Sequence, residues 1–498
     1  MDDFIIKESV NLAAPYARRT GPKGKSYSRG SSEASVSSMP EVSNKTSSRA
    51  ILLGMAIVAA SIVVGKSFLF FGFFFGFSFI MTLIWKKAPR PWIFLASVSA
   101  ATPFSIARQQ YPCNLIYSIW FTLFNFRYLS MLPRWIYGVT GLAFFGFILS
   151  SIHWMGSSSF MRQGSYFLNF VLGPFIFIPI MYCRLGKSRD AVANLRGLLY
   201  CLIVPSTLIL LAAKTFGKIT NAWEASNHAG GSTEGFFVYQ LVNVQINFLR
   251  TEVGFILAAL ICASSAAAFL ELRPRYKWIA RACLASNAFL LLTTASFGSS
   301  LACLCGLIAI FSAMSRKISI TKLIGTIATI IFMLVVFYAL SPPNIKNYLV
   351  GRFEHRVANK NTDRLDLWIN GIKYYIENPT GVGFTLAAGT AVKSDGSAFV
   401  HNDYIAYTMS YSILGGFAYL AFVIGALISF VKKRGRLPDD PYALATFLAG
   451  HGVIIVIALN SMTDHMTESR WYFNLIWSIV WYSYFCSRAA LENHQRVA

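Results

Sequence analysis

The stretch SAFVHNDYIAYTMSYSILGGFAYLAFVIGALISF, residues 397–430, sets His401 and Asn402 directly before an apolar run that ends at Phe430. From 403 to 430 the run is long enough to cross about 30 Å of hydrocarbon as a helix, which takes roughly twenty apolar residues. It does not alternate polar and apolar side chains as the strand of a membrane barrel would. Histidine is an odd choice at such a boundary unless its proton, its hydrogen bonds or its metal affinity is wanted.

Runs of this kind recur along almost the whole chain after residue 50. A chain of 498 residues that is 55% hydrophobic and only 13% charged, with a mean hydropathy of +0.52, lies outside the range of soluble domains. The fold class is therefore an all-α polytopic membrane protein. The expected spans are 51–65, 67–85, 91–107, 113–132, 134–155, 165–183, 196–213, 251–270, 278–295, 299–314, 323–340, 403–430, 442–460 and 471–487, about fourteen transmembrane helices. The formal net charge of +23 does not point to nucleic acid, because lysine and arginine collect in the cytoplasmic loops of polytopic proteins. Membrane lipid is the expected surrounding partner.

Residues 1–50 are a different kind of chain. RRTGPKGKSYSRGSSEASVSSMPEVSNKTSSR, residues 18–49, is rich in Ser, Gly and basic residues and too poor in large apolar ones to build a core, so a disordered cytoplasmic tail is expected. It is too long and too polar for the charged start of a cleavable signal peptide, and the first span is expected to stay in the membrane. The eight cysteines sit mostly inside apolar runs, with only Cys303 and Cys305 closely spaced, and give no zinc or disulfide pattern.

With this frame the connections KKAPRP, RLGKSRDAVANLR, LRPRYKWIAR, SRKISITK and KKRGRLPDD all fall on one side with the basic tail. Both termini, including a short tail at 488–498, are expected in the cytoplasm, and 51–487 forms the membrane domain. Segments 214–250, 341–402 and 461–470 then face outward. The loop 341–402 carries Lys346, Arg352, Arg356, Lys360, Arg364, Lys373 and Lys393 against Glu354, Asp363, Asp366, Glu377 and Asp395, a positive excess on the side where basic residues are normally scarce. Arg352 and Arg356 are candidates for holding an anionic substrate.

Within that loop, NTDRLDLWINGIKYYIENPTGVGF, residues 361–384, predicts a helix. Asn361 and Thr362 supply a cap, Asp363 and Asp366 an acidic first turn, and Asn378-Pro379 a stop. Arg364, Trp368, Gly371 and Tyr375 share one face, while Leu365, Ile369, Ile372 and Ile376 form an apolar stripe expected to lie on the protein or on the bilayer surface. Gly381 and Gly383 permit a tight turn that brings backbone close to a ligand or to the helices below. Arg250, in VNVQINFLRTEVGFILAAL at 242–260, stands at another outer boundary, where a snorkelling anchor is the plain alternative.

An outer-face arginine opening a helix, a long loop with RLDLWINGIKYYIENPTGVGF, and then HNDYIAYTMSYSILGG resemble the family of O-antigen ligases, O-antigen polymerases and exopolysaccharide polymerases. Arg364, Trp368, Pro379, Gly381, Gly383, His401, Asn402 and Gly415 match that family's order and spacing, most clearly over about residues 240–430. The chain departs from it at Phe297, which stands between Ser296 and Gly298 where family members often have arginine, and around Arg250, where Gly254 is one residue late and the Asn-Pro-Asn is missing. The resemblance implies a membrane-embedded glycosyltransferase of the GT-C type in the bacterial inner membrane, its site facing the periplasm or exterior. Its donor would be a polyprenyl-diphosphate-linked glycan and its acceptor a glycan or glycolipid, with export or chain-length proteins as partners.

That chemistry explains the residue types. The leaving diphosphate develops negative charge, which guanidinium groups stabilise with two-point hydrogen bonds at any working pH, so Arg364 and Arg250 are the expected catalytic arginines. The attacking sugar hydroxyl loses a proton, which an imidazole can accept, and His401 is the expected base. Hydrogen bonding to the donor phosphate is its alternative role. Asn402 and Trp368 are expected to bind substrate. Paired carboxylates and a metal or other cofactor are not required, because the leaving group is already good and the arginines supply positive charge. In NSMTDHMTESRW, residues 460–471, Asp464, His465 and Glu468 make a poor metal site, and Asp464 and His465 are kept as acceptor-binding candidates. A transporter of lipid-linked sugars is the competing class, yet the spans hold essentially no acidic residue away from their ends and there is no nucleotide-binding Gly-rich loop. A non-catalytic scaffold of an export complex is a third.

Overall fold

The structure is a computed structural model of the chain. It describes residues 89–101, 105–106, 111–156, 160–187, 190–216, 239–240, 247–248, 250–270, 273–294, 296–314, 362–384, 400–434, 440–463 and 470–497, with isolated positions at 51–56, 80 and 339–350. The helices are α1 (Pro89–Ala101), α2 (Cys113–Phe124), α3 (Arg134–Ser150), α4 (Phe160–Phe167), α5 (Ile178–Cys183), α6 (Ala191–Leu198), α7 (Val204–Phe216), α8 (Arg250–Phe269), α9 (Pro274–Thr294), α10 (Phe297–Met314), α11 (Thr362–Glu377), α12 (Asp403–Arg434), α13 (Pro441–Thr463) and α14 (Arg470–Val497). Two antiparallel two-residue pairs, Ser105–Ile106 with Tyr111–Pro112 and Tyr239–Gln240 with Asn247–Phe248, lie between helices.

Six helices among the described residues are long and apolar enough to cross a membrane: Arg134–His153, Phe160–Gly186, Ala191–Ala212, Phe297–Met314, Asp403–Lys433 and Pro441–Thr463. Shorter apolar helices run over Trp92–Ala101, Asn114–Phe124 and Val253–Phe269. The expected spans 51–65, 67–85 and 323–340 fall almost wholly outside the described residues. The helices α4 and α5 join through a wide π-helical stretch, Leu168–Phe177, with Pro174 inside it. Proline lacks an N–H and its ring collides with the carbonyl one turn back in a regular helix. The wider turn admits it, and the Pro174 carbonyl accepts the Trp481 indole N–H at 2.9 Å.

The centre of the bundle is α13, mostly apolar and buried at every residue from Ala443 to Ile454, with α8 and α14 against it. The outer helices α3 and α10 and the second half of α12 instead leave apolar stripes exposed, such as Phe144, Phe145 and Ile148, or Leu301, Leu304 and Ile308. Large apolar side chains on a helix face at three- and four-residue steps, open to the surroundings, are what a lipid-facing surface requires.

One irregularity positions everything below. Inside α12 the backbone leaves helical geometry at Tyr411 (φ −130°, ψ 32°) and Ser412 (φ 63°, ψ 179°). The element is therefore two helices meeting at a break.

Candidate functional site

Asn402, not His401, caps the first half of α12. Its Oδ1 accepts the Ile405 N–H at 3.2 Å and its carbonyl accepts the Ala406 N–H at 2.9 Å, the usual way a helix start satisfies its free N–H groups. Its Nδ2 donates to the Met462 carbonyl at 3.2 Å, which ties the start of α12 to the end of α13. His401 precedes the cap, half-buried, with φ 47°. A left-handed backbone is uncommon for a residue with a side chain, although histidine tolerates it better than most. Next to the cap, Asp403 is fully buried beside Tyr404, Tyr407 and Tyr419. Those hydroxyls donate to the Ala458 carbonyl at 3.2 Å, to the Phe170 carbonyl at 2.8 Å, and pair with Ser461 Oγ at 2.9 Å, respectively.

The predicted loop helix is α11. Gly371 packs on α12 so closely that a Cβ there would lie 2.9 Å from Val400 and 3.2 Å from Ile405. Leu367, Trp368, Tyr374 and Tyr375 gather on the same cluster of Val382, Val400 and Met409. The Trp368 indole N–H is shielded and has no acceptor among the described residues. The other stripe, Leu365, Ile369, Ile372 and Ile376, is exposed. Among the described residues the protein is packed by the Trp368–Gly371–Tyr375 face and not by this stripe.

The turn after α11 docks into the break of α12. Gly381 and Gly383 have φ 78° and 82°, conformations that glycine adopts without steric cost. The Val382 N–H donates to the Met409 carbonyl at 3.0 Å and the Gly383 N–H to the Ser410 carbonyl at 2.9 Å. An unbroken helix would use both carbonyls itself. The Phe384 N–H donates to Gln163 Oε1 at 2.8 Å, and the Phe384 ring stacks on Tyr166 and Phe170 at 5.0 and 5.1 Å.

Two further helix ends reach the same neighbourhood. Ser296 Oγ donates to Ser299 Oγ at 3.0 Å, and Ser299 Oγ to Asn460 Oδ1 at 3.2 Å. Gly254, one turn into α8, lies against Ser296 and Ser299. The starts of α8, α10 and α12 and the end of α13 are therefore linked by contact. Arg250 is the first residue of α8 and Arg364 the third of α11, and the side chains of both lie outside the described residues, as do Arg352, Arg356, Asp464 and His465 altogether. Phe297, at the position that departs from the family pattern, is exposed, while its neighbours Ser296 and Gly298 face Ser299 and Thr463. Among the described residues no three His, Cys, Asp or Glu side chains form a metal-ligating group.

Sequence reading passed over Gln163 and Asp403. Asp403 follows His401 by two residues and is an acidic residue at the very start of a span, a signal that was available. Gln163 gives none, since its partner is 221 residues away.

Residues 282–420 match the family model described as O-antigen ligase. No curated protein matches the chain. The matched segment contains Arg364, Trp368, Gly381, Gly383, His401, Asn402 and Gly415 and begins after Arg250. The chain is a helical membrane protein that is similar, over residues 282–420, to the O-antigen ligase family.

Proposed function

We propose that the protein is a GT-C-type glycosyltransferase that moves a polyprenyl-diphosphate-linked glycan onto a sugar hydroxyl outside the bacterial inner membrane, polymerising a surface or exopolysaccharide. The family match across 282–420 carries this reading. It is supported by the contacts that bring the start of α12, the Trp368 face of α11 and the starts of α8 and α10 together.

In the proposed reaction the acceptor oxygen bonds to the anomeric carbon as the bond from that carbon to the diphosphate oxygen breaks, so the configuration inverts. The electron pair leaves with the diphosphate. Arg364 and Arg250 hold that developing charge by planar two-point contacts. The partial positive charge at the start of α12 adds to it. His401 takes the acceptor proton and passes it to water. Asn402 and Trp368 border the bound sugar or phosphate, and Arg352, Arg356, Asp464 and His465 line the approach. Donor and acceptor are the partners; chain-length or export proteins would work beside it. The positive-inside rule sets the basic connections and both termini in the cytoplasm and 341–402 outside.

A ligase joining finished glycan to a lipid A core is the second reading, favoured by the matched model's own description. Lipid-linked glycan from a deletion strain separates the two. Accumulated single repeats point to a lost polymerase, long uncoupled chains to a lost ligase, and wild-type lipid-linked intermediates contradict both.

A further inference from the structure

We infer that Gln163, acting with the break in α12, sets where the loop helix α11 stands; resting on the transfer proposed above, this makes Gln163 a positioning residue for it. Val382, Gly383 and Phe384 donate three successive backbone N–H groups, to Met409, to Ser410 and to Gln163, at 3.0, 2.9 and 2.8 Å. The first two acceptors exist because α12 breaks. The Leu414 N–H, which a continuous helix would direct to Ser410, goes instead to Ser412 Oγ at 3.3 Å, leaving the Ser410 carbonyl to the loop.

The third acceptor comes from a different element. Gln163 lies on α4 and is fully buried, where an apolar residue would cost less to place unless its amide is used. It also sets the spacing, since a Cβ at Gly383 would come within 2.7 Å of the Gln163 Cδ. Four residues, Gly381–Phe384, are thereby held between α4 and α12. Only the turn Asn378–Thr380 separates them from α11, and Thr380 Oγ1 is itself paired with His153 Nε2 at 2.7 Å. A shift of the clamp must move α11 along Val400 and Ile405, next to His401.

The test uses the full chain in lipid vesicles without substrate, native cysteines replaced and spin labels at Lys373→Cys on α11 and Lys432→Cys on α12, both exposed positions. Gln163→Leu removes the acceptor. Gln163→Glu keeps it, because a buried carboxyl stays neutral and its carbonyl oxygen still accepts. The distance distribution is expected to stay narrow in the wild type and in Gln163→Glu, and to broaden or shift in Gln163→Leu. With the lipid-linked repeat extracted from the deletion strain, Gln163→Leu should lose about tenfold to a hundredfold in kcat, as expected for an orphaned buried N–H, with Gln163→Glu within about threefold of wild type. If Gln163→Leu does not insert, Gln163→Met, of matching length, replaces it. An unchanged distance distribution in the variant overturns the clamp whatever the enzymology. A broadened one in a protein whose wild type transfers nothing overturns the functional reading and leaves the clamp standing.

Discussion

Replacing Gly383 by alanine perturbs the docked loop at its tightest point. At φ 82° a side chain costs about 1–2 kcal/mol in backbone strain. The new Cβ would lie 2.7 Å from Gln163 Cδ and 2.8 Å from Trp154 Cδ1, and overpacking of that kind adds about 1–3 kcal/mol. The sum of about 2–5 kcal/mol acts on a segment held by three hydrogen bonds of about 1 kcal/mol each and by the burial of Phe384, about 2–3 kcal/mol. Between about a third and all of the docking free energy is thus removed. The contacts of α8, α13 and α14 are untouched, so the loop should detach while the bundle stays folded. Glycan transfer by purified Gly383→Ala should fall at least about thirtyfold, the equivalent of 2 kcal/mol, with helical content and membrane insertion unchanged. Gly156→Ala is the control: its φ is 85°, but nothing lies within 4 Å of the added carbon, and transfer should persist. A wild-type rate in Gly383→Ala would show that the docked turn does not hold the site together.

Both His401→Ala and His401→Gln should fold and insert yet transfer no glycan. His401→Asn should fail equally, since Asn402 already caps the helix. Full activity of His401→Asn would remove the base. Arg364→Ala should abolish transfer and Arg364→Lys retain little, a loss of about 2–4 kcal/mol of transition-state stabilisation, and a lysine variant with wild-type kinetics would exclude Arg364 from the diphosphate. An impermeant thiol reagent should label a cysteine at Lys393 in intact cells and cysteines within 184–195 and 431–441 only after permeabilisation; the reverse pattern would invert the topology.

The helix at 362–377 was readable from local chemistry. Thr362 and Pro379 bracket the expected element, and it runs from Thr362 to Glu377. Gly381 and Gly383 mark a turn that takes positive φ at both. The apolar runs announced helices because composition decides what lipid accepts. The break at Tyr411–Ser412 was not readable. The sequence there, TMSYSILGG, has no proline, and its glycines come three residues later. The break is held by partners distant in sequence, the Val382 and Gly383 N–H groups, and no local propensity encodes such a pairing. Histidine drew attention at the start of α12, whereas the capping role fell to Asn402, which has the better side chain for it.

The central claim is a covalent transfer at the His401 end of α12. Purified protein in vesicles, given the lipid-linked repeat extracted from a deletion strain, should join repeats into longer glycan and release free polyprenyl diphosphate in equal amount, with the configuration of the new linkage opposite to that of the donor. Donor that crosses the bilayer with its glycan still attached, and no diphosphate released, would contradict the account and mark the protein as a carrier.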